Sequence, residues 1–366
     1  MTTRARVRLG PASLGAALAI VLAACGGAPS PGPTAATGSP EGGSPASGPG
    51  VSAPPGAPLL VAIQASADDP GAGETAAGFV DRAAALGGTA RILDAGHDPR
   101  RTVLLVGEAI AAGARGIAVD APDAAVGPAV ARLATEAGVA LVATGARIDA
   151  GGGAPVPFVG FDDGRLGAAA GDAAARLLAT SGWEARRVGV LALAVPGVAA
   201  CAARTGAAQA RLVAAGVLPS NILAVPYSGQ VASARDAALP VVAGNPQLAR
   251  WVAVGCDDAG VAGALGALAA ANVGPDDAIG VGIGADLACR AWAAGAPTGF
   301  RASLLVADGE VGANAAALLW NAAVRGVALP AETLVPGTLV TRETYRALLP
   351  PALLDACGSF PTPPGG

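Results

Sequence analysis

Short apolar runs alternate with longer stretches of helical spacing, and this alternation most constrains the fold. From Leu59 onward each apolar run of four to six residues precedes a stretch whose apolar positions repeat as in an amphipathic helix. Strands that alternate with helices form βαβ units and a parallel sheet. The sequence therefore predicts an α/β fold with two doubly wound parallel-sheet lobes joined by a hinge of several crossings. The predicted strands are 59–63, 90–93, 116–119, 139–143, 156–161, 188–193, 222–227, 251–255 and 279–283.

Two late elements each complete one lobe. Residues 307–324 have helical spacing, and 332–341 are mostly strand-like. If one belongs to each lobe, the chain crosses between the lobes more than once. The predicted boundaries are 58–163 with 303–327 for the N-terminal lobe, 164–302 with 328–353 for the C-terminal lobe, and 354–366 for a tail.

The N-terminus has the pattern of an export signal. Three arginines within the first eight residues precede an apolar run that ends in Leu22-Ala23-Ala24-Cys25. That run is too short to span a bilayer, which predicts a signal peptide over 1–24. The small-small-Cys ending resembles the lipobox of bacterial lipoproteins, which implies cleavage before Cys25, its lipidation and anchoring to the outer face of the cell membrane. An ordinary signal peptide that happens to contain a cysteine is the alternative.

The stretch after Cys25 has the composition of a flexible tether. Gly, Pro, Ala, Ser and Thr dominate 25–57, with Glu41 as the one charge. Such a segment lacks the apolar surface that would offset its ordering entropy. The sequence predicts a disordered leash that holds a folded domain away from the membrane.

Composition excludes several classes of function. The net charge is −4, and the 23 basic residues are all arginine without a cluster, which argues against nucleic acid. His97 is the single histidine and no CxxC spacing occurs, so no metal centre is predicted. A GxGxxA pattern at 280–285 lacks the acidic residue that a dinucleotide site needs, so neither an enzyme nor a cofactor is expected. Cys201, Cys256, Cys289 and Cys357 allow three disulfide pairings or remain free thiols.

Acidic residues and one arginine follow the predicted strands. Ligands of open α/β sheets bind beyond the carboxyl ends of the strands. Carboxylates and guanidinium groups make charge-assisted hydrogen bonds and suit hydroxyl-rich ligands. The alternative for each aspartate is a helix N-cap. The acidic residues and the arginine that follow the predicted strands are Asp68, Asp69, Asp120, Asp162, Asp163, Arg204, Asp257, Asp258 and Asp286.

Four stretches of the sequence are specific enough to compare with known families: 116–123, 251–258, 279–283 and 298–305, with 181–183 and 339–343 in support. Through these stretches the sequence from 59 to 349 resembles the type I periplasmic binding proteins, above all their arabinose-binding branch. The resemblance implies two lobes joined by three crossings, a small polar, sugar-like ligand closed between them, a monomer, and delivery to the permease of an ABC importer. The alternative is a binding lipoprotein that signals to a membrane sensor without transport, or a degenerate binding lipoprotein.

The resemblance carries over only part of the ligand site. Arg204 matches a cleft arginine if one gap is allowed, and Ala203 matches it otherwise; Asp257 matches a sugar-contacting position. The family's stacking aromatic is replaced by Gly71, and its carboxylate after the fourth strand is lost at Gly145 and Ala146. The basic residue after the first strand becomes Gln64 or Ala65, and Gly284 leaves Asp286 as the substitute for an amide. The expected ligand-binding residues are Asp69, Asp120, Phe161, Arg204, Cys256, Asp257 and Asp286.

Overall fold

A computed structural model describes residues 56–69, 71–121 and 123–358. The predicted signal peptide, Cys25 and nearly all of the predicted tether lie outside the described residues, as do 359–366.

Strands and helices alternate along the chain, as the alternation of short apolar runs with stretches of helical spacing predicts. The strands are β1 Leu59–Gln64, β2 Thr89–Asp94, β3 Ala114–Asp120, β4 Ala140–Thr144, β5 Phe158–Gly160, β6 Val188–Ala194, β7 Ile222–Pro226, β8 Arg250–Gly255, β9 Ala278–Ile283, β10 Phe300–Leu305, β11 Glu332–Leu334 and β12 Thr338–Thr341. The helices are α1 Ala72–Ala85, α2 Pro99–Ala111, α3 Gly127–Ala137, α4 Asp163–Thr180, α5 Ala199–Ala214, α6 Val231–Ala243, α7 Asp258–Ala270, α8 Asp286–Ala293, α9 Asp308–Arg325, α10 Tyr345–Leu348 and α11 Pro351–Gly358.

The first lobe is built on a parallel sheet. Its six strands lie in the order β11-β5-β4-β3-β1-β2. Ile117 and Val119 pack on one face of this sheet, whereas Leu60 and Ala118 pack on the other. Neighbouring side chains of a strand point to opposite faces, and helices cover both faces here, so the central strands are apolar throughout.

The second lobe repeats this plan. Its six strands lie in the order β12-β10-β9-β8-β6-β7, and one pair, β10 with β12, is antiparallel. Trp251 is completely buried on β8, and its indole N–H donates to the Leu248 carbonyl at 3.0 Å. The fold class predicted from the sequence is confirmed, with one antiparallel edge strand added.

Three crossings connect the lobes within the described residues, near 161–162, 306–307 and 335–337. Two predicted boundaries need correction. The 328–353 segment does not lie wholly in the C-terminal lobe, because Glu332–Leu334 pairs with the edge strand β5 of the first sheet. The 303–327 segment begins inside β10, which hydrogen-bonds to β9 in the second sheet.

Two disulfides select one of the three possible pairings. Cys201 is bonded to Cys256 and Cys289 to Cys357, with Cα–Cα distances of 4.7 and 5.6 Å. The second bridge ties α8 to α11, so the tail predicted from residue 354 begins inside a helix.

No helix among the described residues has the length and apolar character that crossing a membrane requires.

Candidate functional site

A cavity of about 190 Å³ lies where the first sheet faces the second lobe. The ends of the first sheet's strands form one wall, and α5 of the second lobe contributes Ala200 and Arg204. Pockets for drug-sized ligands occupy roughly 300–1,000 Å³, so this cavity suits a smaller molecule. Its polar lining consists of Gln64, Asp69, Thr75, Asp120, Thr144, Asp163, Arg204 and Asp308.

Three of these residues are the last residues of neighbouring strands. Gln64 ends β1, Asp120 ends β3 and Thr144 ends β4. Since these strands are parallel, their carboxyl ends meet at one edge of the sheet. The Gln64 amide donates to the Ala72 carbonyl at 2.5 Å, which ties the floor of the cavity to the first turn of α1.

Arg204 enters the cavity from α5 and is held by two acceptors. Its Nε donates to Asp163 Oδ1 at 2.7 Å, and its Nη1 donates to the Cys256 carbonyl at 3.2 Å. The Arg204 and Asp163 side chains are 19% and 18% exposed, respectively, so this ion pair is shielded from water. A Cβ at Gly167 of α4 would overlap the backbone of Arg204. The missing side chain at Gly167 therefore lets α5 approach closely enough to place the guanidinium.

Asp69 and Asp120 form an acidic pair at the same side of the cavity. Asp69 Oδ1 lies 3.0 Å from Nε2 of His97, a half-exposed side chain on a residue with a positive φ of 58°. Burial and the neighbouring Asp69 carboxylate raise the pKa of Asp120 to about 7, and His97 opposes that shift. Asp120 is therefore a carboxyl whose charge is poorly compensated by its protein surroundings.

Asp308 is a second carboxyl of this kind. It is the first residue of α9, just after a crossing between the lobes. Burial and Glu74 raise its pKa to about 6, while Arg204 acts in the opposite direction. Within the described residues, no hydrogen-bond donor is bonded to the carboxylate of Asp308 or of Asp120.

Two glycines make room for these carboxylates. A Cβ at Gly71 would collide with the Asp308 carboxylate, and a Cβ at Gly145 would collide with that of Asp120. Both glycines have positive φ, at 78° and 69°, where a side chain would add strain. These are two of the positions at which the sequence is expected to depart from the arabinose-binding branch. In the structure, the carboxylates of Asp308 and Asp120 occupy the space that a side chain at Gly71 or Gly145 would need.

The cavity brings together four of the predicted ligand-binding residues. Asp69, Asp120, Phe161 and Arg204 all line it. The gapped match to Arg204 fits the structure, since Ala203 is exposed on α5. Cys25 lies outside the described residues.

Three predicted residues of the second lobe are not part of this lining. The Cys256 sulfur is used in the disulfide. Asp257 is the N-cap of α7: its Oδ1 accepts from Gly260 N at 2.7 Å and from the Tyr227 hydroxyl at 2.5 Å. Burial and the bond to Asp257 raise the pKa of Tyr227. Asp286 is the first residue of α8 and lies outside the lining.

The sequence-based set omits five polar residues of the cavity: Gln64, Thr75, Thr144, Asp163 and Asp308. Gln64 and Thr144 are uncharged residues at strand ends, where a neutral polar side chain does not distinguish a ligand contact from an ordinary end of a strand. Asp163 and Asp308 each begin a helix directly after a crossing, which is a signal that could have identified them. Across 56–69, 71–121 and 123–358, no group of three His, Cys, Asp or Glu residues has a metal-binding arrangement.

Comparisons with known proteins agree with this architecture. Residues 61–326 match the model of the periplasmic binding protein domain family. An ABC transporter L-arabinose-binding periplasmic protein of Azospirillum brasilense is 30% identical over 241 residues, which cover 64% of this chain and 72% of that protein.

Solved structures share the fold at lower identity. A periplasmic ribose ABC transporter protein of Conexibacter woesei has a TM-score of 0.69 at 19% identity, covering 83% of this chain and 98% of its own. A solute-binding protein of Actinobacillus succinogenes with bound D-allose has a TM-score of 0.66 at 18% identity, covering 79% and 99%. The chain therefore belongs to the periplasmic binding protein family, has the two-lobe fold of type I, and is a solute-binding protein rather than an enzyme.

Proposed function

We propose that this chain is an exported, lipid-anchored solute-binding protein that captures a small hydroxyl-rich ligand between its lobes. It delivers that ligand, a monosaccharide or a close relative, to the permease of an ABC importer. The names of the relatives support a sugar and a transporter, since they are arabinose-, ribose- and allose-related binding proteins.

The observation that carries this proposal is the composition of the cavity. Carboxylates and one guanidinium offer acceptors and a planar donor to hydroxyl groups, while Thr75, Thr144 and Gln64 add neutral partners. Phe161 and Phe79 supply apolar surface beneath them. Such a set orients a ligand that is polar on all sides better than it binds an apolar molecule.

Capture works through closure of the hinge. Contacts to both lobes exist only when the lobes are closed, so a ligand shifts the population toward the closed form. Arg204 reaches the cavity from the second lobe, and its partner Asp163 follows the first crossing. Asp257 and Asp286 belong to the same lobe and are further contacts in this proposal, available if closure brings them to the ligand.

A thermal-shift screen over pentoses, hexoses, amino sugars, polyols and nucleosides tests the proposal. A ligand at 100 times its Kd stabilises the folded protein by about 2.7 kcal/mol, which raises Tm by about 5 °C. Arg204→Gln should weaken the best ligand more than tenfold. Arg211→Gln is the matched control, because Arg211 is a half-exposed residue of the same helix. The absence of a shift with every compound would contradict capture of a small polar ligand.

The second candidate is a binding lipoprotein that reports to a membrane sensor without transport, or a degenerate binding lipoprotein. It is favoured by the small contribution of the second lobe to the cavity lining, which is Asp163 on α4 with Ala200 and Arg204 on α5. Radiolabelled uptake separates the candidates once a ligand is known. Cells that lack this protein should lose uptake of the ligand if it serves an importer and keep uptake if it serves a sensor.

Membrane attachment at Cys25 is the remaining part of the proposal. The lipobox-like Leu22-Ala23-Ala24-Cys25 and the 25–57 tether support it. A Cys25→Ser protein should appear in the soluble fraction with its ligand affinity unchanged. Retention of that variant in the membrane fraction would exclude lipidation at Cys25 as the anchor.

A further inference from the structure

The cavity contains more negative charge than it can compensate. Four carboxylates line it, from Asp69, Asp120, Asp163 and Asp308, together with one guanidinium. Arg204 is already bonded to Asp163, and His97 lies 3.0 Å from Asp69. Among the described residues, neither Asp120 nor Asp308 forms a salt bridge, and His97 and Arg204 act on these two carboxylates only without direct contact.

The ring-stacking surface of the cavity is small. Phe79 is 1% exposed and Phe161 is half-buried, and these are the aromatic residues of the lining. The loop that begins α1 has Gly71 where a side chain would meet the Asp308 carboxylate. Four of the eight polar residues in the lining are acidic and one is basic.

We infer that the ligand combines hydroxyl groups with a protonated amine, as in an amino sugar or an aminated cyclitol, and that Asp120 and Asp308 bind its ammonium group. This inference rests on the proposed function and specifies the ligand class for that same cavity. Hydrogen bonds between an ammonium and carboxylates are charge-assisted and about twice as strong as neutral ones. The hydroxyl groups are left to Gln64, Thr144 and the Arg204–Asp163 pair.

The pKa values of the two acids agree with this assignment. Burial raises the pKa of Asp120 to about 7 and that of Asp308 to about 6, as expected for carboxyls that lack a counter-charge. The charged groups that act on them are Asp69 and His97 for Asp120, and Glu74 and Arg204 for Asp308. A cationic ligand should therefore bind more tightly as the pH rises from about 5.5 to 7.5.

The decisive experiment is calorimetric titration of the full exported domain with matched pairs of sugars. The pairs are D-glucosamine with D-glucose, D-galactosamine with D-galactose, and D-mannosamine with D-mannose. At pH 7.5 the amine of the best pair should bind at least tenfold more tightly than its neutral partner. Equal affinities, or tighter binding of the neutral sugar, would overturn the inference and leave the proposed function standing. If no member of any pair binds and no compound in the thermal-shift screen raises Tm, both this inference and the proposed function are contradicted.

Isosteric variants locate the charge. Asp120→Asn and Asp308→Asn keep the shape of each side chain and one acceptor oxygen, replace the other oxygen with an NH2 donor, and remove the charge. Each should weaken the amino sugar at least tenfold more than it weakens the neutral partner. Asp81→Asn, on the exposed face of α1, is the control for a general change in charge and should leave both affinities unchanged. Equal losses for both ligands would show that the two acids bind hydroxyl groups instead.

Discussion

The two lobes share one architecture but differ in how they are stabilised and in what they offer a ligand. Each has a six-stranded sheet and a close pair of helices, α1 with α9 in the first lobe and α4 with α5 in the second. Both disulfides lie in the second lobe, and no cysteine occurs between residues 26 and 200. Most of the cavity lining comes from the first lobe. Covalent reinforcement and ligand chemistry are therefore concentrated in different halves of one fold.

Removal of a disulfide should have the largest effect, and only on the second lobe. The bridges close loops with sequence separations of 55 and 68 residues. Loss of the corresponding constraint on the unfolded chain costs about 4 kcal/mol for each bridge. A Cys289→Ser, Cys357→Ser double variant should lose about that much unfolding free energy in urea titrations.

The positions of the tryptophans allow this loss of stability to be measured separately for each lobe. Trp183, Trp251 and Trp292 lie in the second lobe and Trp320 in the first, so fluorescence reports mainly on the second. Hydrogen exchange in β1 and β3 reports on the first. Equal loss of protection in both lobes would show that they unfold as one cooperative unit, and would contradict the claim that the disulfides stabilise only the second lobe.

The first bridge has an added role that the second does not share. Cys256 offers its carbonyl to Arg204, and Cys201 lies one turn before Arg204 on α5. The Cys201→Ser, Cys256→Ser double variant should therefore weaken the ligand severalfold as well as lower stability. The Cys289→Ser, Cys357→Ser variant is its control and should keep the affinity. Equal affinities of the two variants would remove the link between this bridge and the cavity.

Alanine substitutions of glycines at helix–helix contacts should have the next largest effect on the unfolding free energy, and such contacts occur in both lobes. A Cβ at Gly78 would overlap the carbonyl of Gly309 across α1 and α9, and one at Gly171 would overlap that of Ala208 across α4 and α5. Overpacking of this kind costs about 2 kcal/mol. Gly78→Ala and Gly171→Ala should lower the unfolding free energy of their own lobes by about that amount in urea titrations.

Two further glycines sharpen the comparison. Gly107→Ala is the control, because no atom lies within 4 Å of a Cβ there and alanine favours the helix by up to about 1 kcal/mol. Gly167→Ala should match Gly171→Ala in stability but weaken ligand binding as well, since the new methyl group presses on the backbone of Arg204. Equal affinities of these two variants would show that α5 can shift without moving the guanidinium.

The fold was more predictable from the sequence than the site. The short apolar runs predicted the ends of β1, β3 and β6 to within two residues, because buried parallel strands have to be apolar on both faces. It could not divide 332–341, whose two short strands join different sheets. Which sheet an edge strand joins depends on the path of the chain in space, which local periodicity does not record.

The site depended on side-chain partners that strand position does not reveal. Asp120 and Asp257 both follow a buried strand, yet Asp120 lines the cavity whereas Asp257 caps α7. The difference lies in the next residues: Gly260 presents its N–H to Asp257, and Tyr227 donates to the same oxygen from a distant loop. Asp308 begins α9 directly after the second crossing, and that position points to the cavity only once the path of the chain between the lobes is known.

The smallest expected effect, for each group and pH unit, is a dependence of stability on pH to which both lobes contribute. Asp120 in the first lobe and Asp258 in the second each have a pKa of about 7, chiefly because they are buried. An unfolded aspartate has a pKa of about 3.9, so between pH 5 and 7 the folded state binds more protons than the unfolded state. Stability should therefore fall as the pH rises through this window, by up to about 1.4 kcal/mol per pH unit for each group.

Asparagine variants separate the two contributions to this slope. Asp258 accepts from Ser303 Oγ at 2.6 Å and from Ala288 N at 2.9 Å, so its carboxyl is fixed in the core, whereas Asp120 faces the cavity. Asp258→Asn should flatten the slope with or without ligand. Asp120→Asn should flatten it only in the empty protein, because a bound cation would already hold Asp120 ionised. Urea titrations from pH 5 to 8, with and without the best amine, measure all four slopes. A slope that is unchanged in Asp258→Asn would mean that this buried carboxyl stays ionised throughout the window, with Ser303 and Ala288 as sufficient partners for its charge.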